Sequence, residues 1–243
     1  MSYGIDITRS DGTQLISNLY PHYYFVKKVQ LNSAGEFYDT ATYTDNVIVA
    51  LAPLNPTGVS QSFLGFAKGK YKYNNGMGMD SYPPSFDPGG TSTLAIKGFP
   101  SGYAYIFDTA PPSENSGYGL IVFNDSGGIT YTSNRAHAMH VNTISGMAQT
   151  STSTYVKWPT VAHPKAIYTF PKPAVNFAIV PLTDAYSFFA LDYEEYQYTE
   201  YEWRSNQVSL KFVQTNTFAS NWSSGWEVQP YYQALVLDVS RIY

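Results

Sequence analysis

Clusters of turn-forming residues recur along this chain at short intervals, and they leave little room for helices. "SDGT" occupies 10–13, "NSAGE" 32–36, "NPTG" 55–58, "NNGMG" 74–78, "DPGG" 87–90 and "NDSGG" 124–128. Between and beyond them lie short apolar or alternating runs such as "NVIVALAPL", "STLAIKGF", "YAYIFDTA", "NFAIVPL", "SFFALDY", "QVSLKFVQT" and "ALVLDVS". Short strands separated by turns are the pattern of antiparallel sandwiches and barrels. Composition agrees, because 23 tyrosines and 14 phenylalanines suit a pleated, half-buried surface. Residues 184–204 place Phe189, Tyr193 and Tyr196 at helical spacing, yet the aromatic load favours two strands there. The expected fold class is all-β, with few or no helices.

The start of the chain repeats in its middle. Residues 3–18 read "YGIDITRSDGTQLISN" and residues 118–134 read "YGLIVFNDSGGITYTSN". Each copy opens Tyr-Gly, crosses an Asp/Ser/Gly turn and closes Ser-Asn. Each half also ends on an apolar strand carrying an aspartate, Asp108 in "YIFDTA" and Asp238 in "VLDVS". The stretch "PPSENSG" at 111–117 has linker composition. The expectation is two tandem β-sandwich units of similar plan, 1–112 and 117–243. Gly12 and one of Gly127 or Gly128 are expected at positive φ in the two hairpin turns.

Charge and motifs exclude several functions. Charged residues make up 13% of the chain and the formal net charge is −4, so no basic field draws nucleic acid or an anionic membrane. Cysteine is absent, which removes disulfides, thiolate metal sites and a cysteine nucleophile. No apolar run approaches the length of a membrane span, and "MSYGIDITRSDG" lacks the features of a signal peptide. No nucleophile elbow, phosphate-binding loop or dinucleotide fingerprint occurs. His137 and His140 in "RAHAMHV" invite a metal reading, but residues three apart on a strand face opposite sides. His163 precedes a proline and reads as loop. In "DYEEYQYTEYEWR", an extended backbone would put Asp192 and Glu194 on one face about 7 Å apart, near the spacing of glycosidase carboxylate pairs. Charges on an exposed strand serve more often to discourage edge-to-edge aggregation. The expectation is therefore a protein that is not an enzyme and holds no cofactor and no metal.

Two stretches have the composition of contact surfaces. The segment 71–90 sets Tyr71, Tyr73, Tyr82 and Phe86 among glycine, asparagine and proline, as binding loops do. The segment "NWSSGWEVQPYY" at 221–232 carries Trp222, Trp226, Tyr231 and Tyr232, suited to stacking on sugars or to subunit contact.

The opening "MSYGIDITRSDGTQLISN", the internal "YGLIVFNDSGGITYTSNR" and the closing "ALVLDVSRIY" resemble a family of uncharacterised bacteriophage tail-associated virion proteins, encoded near tail-tip and fibre genes. The resemblance implies a structural protein of the tail tip or tail fibre, made in the host cytoplasm and carried in the virion. Its implied partners are other phage tail proteins and copies of itself, in symmetric assemblies, with host surface polysaccharide or a receptor as a further contact. Neither nucleic acid nor membrane insertion is implied. The alternative from composition is a carbohydrate-binding, lectin-like module on a β-sandwich.

Overall fold

A computed structural model describes residues 7–8, 14–16, 22–62, 64–68, 93–110, 120–133, 135–147, 166–171, 173–183, 186–190, 194–217, 225–229 and 231–242. The chain is nearly all β. Its strands are β1 (Ile7–Thr8), β2 (Gln14–Ile16), β3 (Tyr24–Gln30), β4 (Glu36–Asp39), β5 (Ile48–Ala52), β6 (Val59–Ser62) and β7 (Gly65–Lys68). There follow β8 (Leu94–Lys97), β9 (Tyr103–Asp108), β10 (Ile121–Phe123), β11 (Ile129–Thr132), β12 (Met139–Met147) and β13 (Ala166–Thr169). The last are β14 (Phe177–Thr183), β15 (Tyr186–Ala190), β16 (Glu194–Arg204), β17 (Gln207–Thr217), β18 (Gly225–Gln229) and β19 (Tyr231–Asp238). A short 3-10 turn, Ala174–Asn176, precedes β14. The segment with helical spacing forms two strands, β15 and β16. Among the described residues no helix is long and apolar enough to cross a membrane.

Apart from the two-stranded hairpins β1-β2 and β10-β11, the described strands form two layers. The inner layer is a six-stranded antiparallel sheet in the order β12-β19-β14-β5-β9-β3. The outer layer contains β13-β17-β16-β15-β18 and β4-β8-β7. β6 pairs with the end of β16 and leads within two residues into β7, so these two sheets are linked through one stretch of chain. The halves are thus not two sandwiches side by side, because each contributes three strands to the inner sheet.

Both halves nevertheless follow one plan. A hairpin is followed by an outer inner-layer strand (β3 or β12), a covering strand (β4 or β13) and a central strand (β5 or β14). A covering hairpin comes next (β7-β8 or β16-β17), and then the strand ending in aspartate (β9 or β19). Register makes the equivalence residue-specific. Tyr24 lies opposite Asp108 as Met139 lies opposite Asp238, and in each pair the register slips two residues later, at Val26 and Val141. Both bulged valines are exposed. The halves meet where Leu51 of β5 lies opposite Ile179 of β14. Carrying the offset between Asp108 and Asp238 along the chain makes Val49 the counterpart of Ile179 and Leu51 that of Pro181. A pseudo-two-fold axis therefore runs through neighbouring Ala50 and Val180.

Alternation decides which side chains face which layer. On β5, Val49 and Leu51 join Ile106, Phe177, Ile179 and Val236 against Leu94, Ile96, Phe99, Trp203, Val208 and Leu210 of the outer layer. The other face of the same strands carries Ala50, Ala52, Ala178 and Val180 with Tyr105, Phe107 and Leu237. These small residues let the inner sheet curl. It curls until its edges meet: Phe25 N–H donates to Ala136 O (2.8 Å), Ala138 N–H donates to Tyr23 O (2.9 Å), and Tyr24 bridges His137. Residues 136–138 run directly into β12, so the seam joins the first and last strands of the inner sheet.

Two loops share one local device. In "NSAGE" the Asn32 carboxamide oxygen accepts from Ala34 N–H (2.9 Å) and Glu36 N–H (2.8 Å). In "NDSGG" the Asn124 oxygen accepts from Ser126 N–H (3.1 Å) and Gly128 N–H (2.7 Å). Each turn needs a left-handed residue, supplied by Gly35 and Gly127, both at φ +78°. Gly127, not Gly128, thus takes positive φ, while Gly12 lies outside the described residues. Buried aspartates hold other ends. Asp39 pairs with Lys27 and accepts from Tyr43 Oη (2.5 Å) and Ala41 N–H (3.0 Å). Burial alone would raise its pKa, but these partners hold it below the usual carboxylate value. Asp108 accepts from Thr44 N–H (2.8 Å), from the Thr44 hydroxyl and from Thr109 N–H (2.7 Å), fixing the approach to β5.

Two substitutions test this description. Ala50→Leu puts extra methylenes onto the concave face at the axis and should lower stability by about 1–3 kcal/mol, read as a lower urea midpoint. Gly127→Val should cost about 1 kcal/mol or more from φ strain alone, since nothing lies within 4 Å of an added Cβ. A neutral result for either variant contradicts the corresponding assignment.

Candidate functional site

Of the aromatic residues singled out by composition, Trp226, Tyr231 and Tyr232 fall among the described residues. Tyr71, Tyr73, Tyr82, Phe86 and Trp222 lie outside the described residues. The framework does fix where the first four are attached: Lys68 lies opposite Leu94, so the connection 69–93 leaves and re-enters at adjacent points of the β7-β8 hairpin. The equivalent hairpin of the second half, β16-β17, turns through Ser205 and Asn206 alone, with Arg204 opposite Gln207. Trp226 is on β18 opposite Phe189. Tyr231 and Tyr232 are neighbours on β19 and so face opposite ways. Tyr231 is 58% exposed, whereas Tyr232 is buried in the core. Its ring occupies the space over Gly146, where an added Cβ would meet Tyr232 Oη at 2.2 Å. Tyr232 is therefore a packing residue, unavailable to a ligand.

Of the other sequence candidates, the two histidines separate. Glu194 opens β16 opposite Ala190 and Thr217, and Asp192 lies outside the described residues. His140 is exposed and shares a hydrogen bond with the Thr143 hydroxyl (3.0 Å). His137 belongs to a different environment, the seam.

Two places not signalled by sequence spacing draw polar groups together. The first is a cleft of about 150 Å³ lined by Lys28, Tyr103, Tyr105, Leu54, Val175 and Asn176 among others. Lys28 Nζ lies 4.3 Å from the centroid of the Tyr103 ring and 5.2 Å from that of Tyr105, a cation–π arrangement worth about 0.5–1 kcal/mol at an exposed site. The counterparts in the second half are Thr143, Gln233 and Leu235, so the repeat does not demand this arrangement. Leu54 and Val175 at the cleft are exposed apolar residues.

The second place is the seam. His137 stacks on Tyr131 with centroids 4.9 Å apart, and it lies 5.1 Å from the Tyr24 ring and 5.8 Å from His22. His22 also meets the edge of Tyr131 at 5.1 Å. Burial holds the pKa of both histidines below the ordinary value; for His137 the Thr132 carbonyl opposes this in part, and nearby His22 adds to it. Burial, with Tyr131 nearby, raises the Tyr24 hydroxyl to about 12.

The sign of the pH effect follows. A histidine whose pKa falls on folding binds fewer protons folded than unfolded, so stability is full above the ordinary value near 6.5 and declines as pH falls below it. With chelator present, the urea midpoint should drop between pH 7.5 and pH 5, and His137→Phe should flatten that dependence. An unchanged slope would place the acid sensitivity elsewhere.

No protein-family model, no curated protein and no solved structure matches this chain.

Proposed function

We propose that this protein is a structural component of a bacteriophage virion, in the tail tip or tail fibre apparatus, that docks with neighbouring subunits and presents an aromatic loop for contact. The observation that supports the reading most is the unequal closure of two equivalent hairpins. The β16-β17 hairpin needs only Ser205 and Asn206, while residues 69–93 connect the paired Lys68 and Leu94 at the same place in the plan. The longer connection is thus an addition to a framework whose other copy does without it. Long connections in compact domains tend to be functional, and aromatic anchors supply most of the binding energy at protein contacts. The hairpin resemblance to tail-associated proteins supplies the setting.

A second reading, a lectin-like module, is favoured by Tyr103 and Tyr105 in a cleft beside Lys28. One experiment separates the two. Replacing residues 69–92 by Asn-Gly should leave circular dichroism and the unfolding midpoint within error of the parent, because Lys68 and Leu94 already pair. In the phage carrying this gene, the same replacement should abolish incorporation into particles or reduce adsorption at least tenfold. Normal incorporation and adsorption overturn the contact role. Glycan binding by the purified protein, lost in Tyr103→Ala and absent from any particle function, would support the lectin reading instead.

A further inference from the structure

The seam holds two buried polar atoms without a protein partner. His137 Nε2 lies 2.7 Å from the Thr132 carbonyl oxygen. A carbonyl oxygen only accepts, so Nε2 carries the proton and Nδ1 presents a lone pair. That Nδ1 is buried and has no hydrogen-bond partner, and the same holds for the hydroxyl of Tyr24, a residue only 3% exposed. Buried polar atoms of this kind are normally satisfied, and each one calls for an explanation.

A second imidazole, that of His22, lies beside His137. At metal–nitrogen distances of about 2.0–2.1 Å, two imidazoles on one ion place their centroids about 5–6 Å apart. The His22 and His137 centroids are 5.8 Å apart, with their planes at 69°. A metal-binding histidine characteristically gives its other N–H to a carbonyl or carboxylate, which fixes the tautomer. His137 does this through Thr132. The repeat explains why two histidines meet here: Tyr24 is the counterpart of Met139, so His22 is the counterpart of His137, and the pair straddles the axis through Tyr23 and Ala138. Among the described residues no three His, Cys, Asp or Glu side chains gather into a site. A third donor from a neighbouring side chain would be a hydroxyl, and the Tyr24 ring lies 5.1 Å from that of His137, where the second half has Met139.

We propose that the seam binds one divalent cation of the zinc and copper class, with His22 and His137 as nitrogen ligands and the Tyr24 hydroxyl bound to the ion or to its water. Imidazole donors suit these borderline ions and not magnesium or calcium. The ion would clamp residues 22–24 to 136–138, where the inner sheet closes.

The test uses the full chain freed of metal by chelator. Calorimetric titration with Zn²⁺ should show one ion per chain, and Mg²⁺ should show none. His22→Gln and His137→Gln should each weaken Zn²⁺ binding at least about tenfold, since losing even an outer-shell partner can cost that much. Tyr24→Phe should weaken it less, and His140→Gln should leave it unchanged. Cu²⁺ bound to the wild-type protein should give an electron paramagnetic resonance spectrum with two nitrogen ligands, a readout that does not depend on any variant folding. The proposal is overturned by absent saturable binding, by unchanged affinity in a folded His137→Gln protein, or by a spectrum with fewer than two nitrogens. Those results would assign the two unpartnered atoms to ordered water.

Discussion

The antiparallel pairing of Leu51 with Ile179 joins the two halves in the middle of the inner sheet, and the β6-β16 pairing and the seam join them again at its margins. Either half alone has three inner strands, with β5 or β14 left as an open apolar edge. Pairing these edges covers both at once, which disposes of the aggregation hazard that a free strand edge presents. The pairing also brings Ala50 and Val180 together on the concave face, and their small size permits the curl that carries β3 and β12 to the seam. β3 pairs with β9 and β12 with β19 across long stretches of chain, so most of the stabilising pairings are distant in sequence and folding is expected to be slow for the chain's size.

Much of the framework was legible locally. The Asn-x-x-Gly turns at 32–35 and 124–127 are specified by residues that bond within the turn, which is why their chemistry reads directly from the chain. The strand character of 184–204 was legible for a similar reason, from its aromatic load. The layer arrangement was not. The run "IVALA" of β5 is apolar on both faces, a mark of burial between layers, but nothing in it names β14 as neighbour. The linker composition of 111–117 read as a boundary between independent units, whereas hydrogen bonding crosses between the halves.

The candidate site was harder to read because composition averages over faces. Tyr231 and Tyr232 look equivalent in "QPYY", yet the strand period sends one to solvent and the other onto Gly146. His137 suffered from the opposite limitation, since sequence proximity suggested His140 as its companion. The residue that reaches it is His22, from the other half, and only the closing of the seam brings the two together.

The duplication also separates what the fold requires from what it tolerates. Features present in both copies, such as the bulges at Val26 and Val141, the aspartates ending β9 and β19 and the histidines flanking the axis, belong to the shared plan. Features present once are free of that constraint. Residues 69–93 stand against a two-residue turn, Lys28 with Tyr103 and Tyr105 stands against Thr143 with Gln233 and Leu235, and Tyr24 stands against Met139. A copy under no demand beyond folding could lose each of these without disturbing a hydrogen-bonded register. The shared plan therefore does not account for them, just as it does not account for residues 148–165 between β12 and β13, where the first half joins β3 to β4 through 31–35.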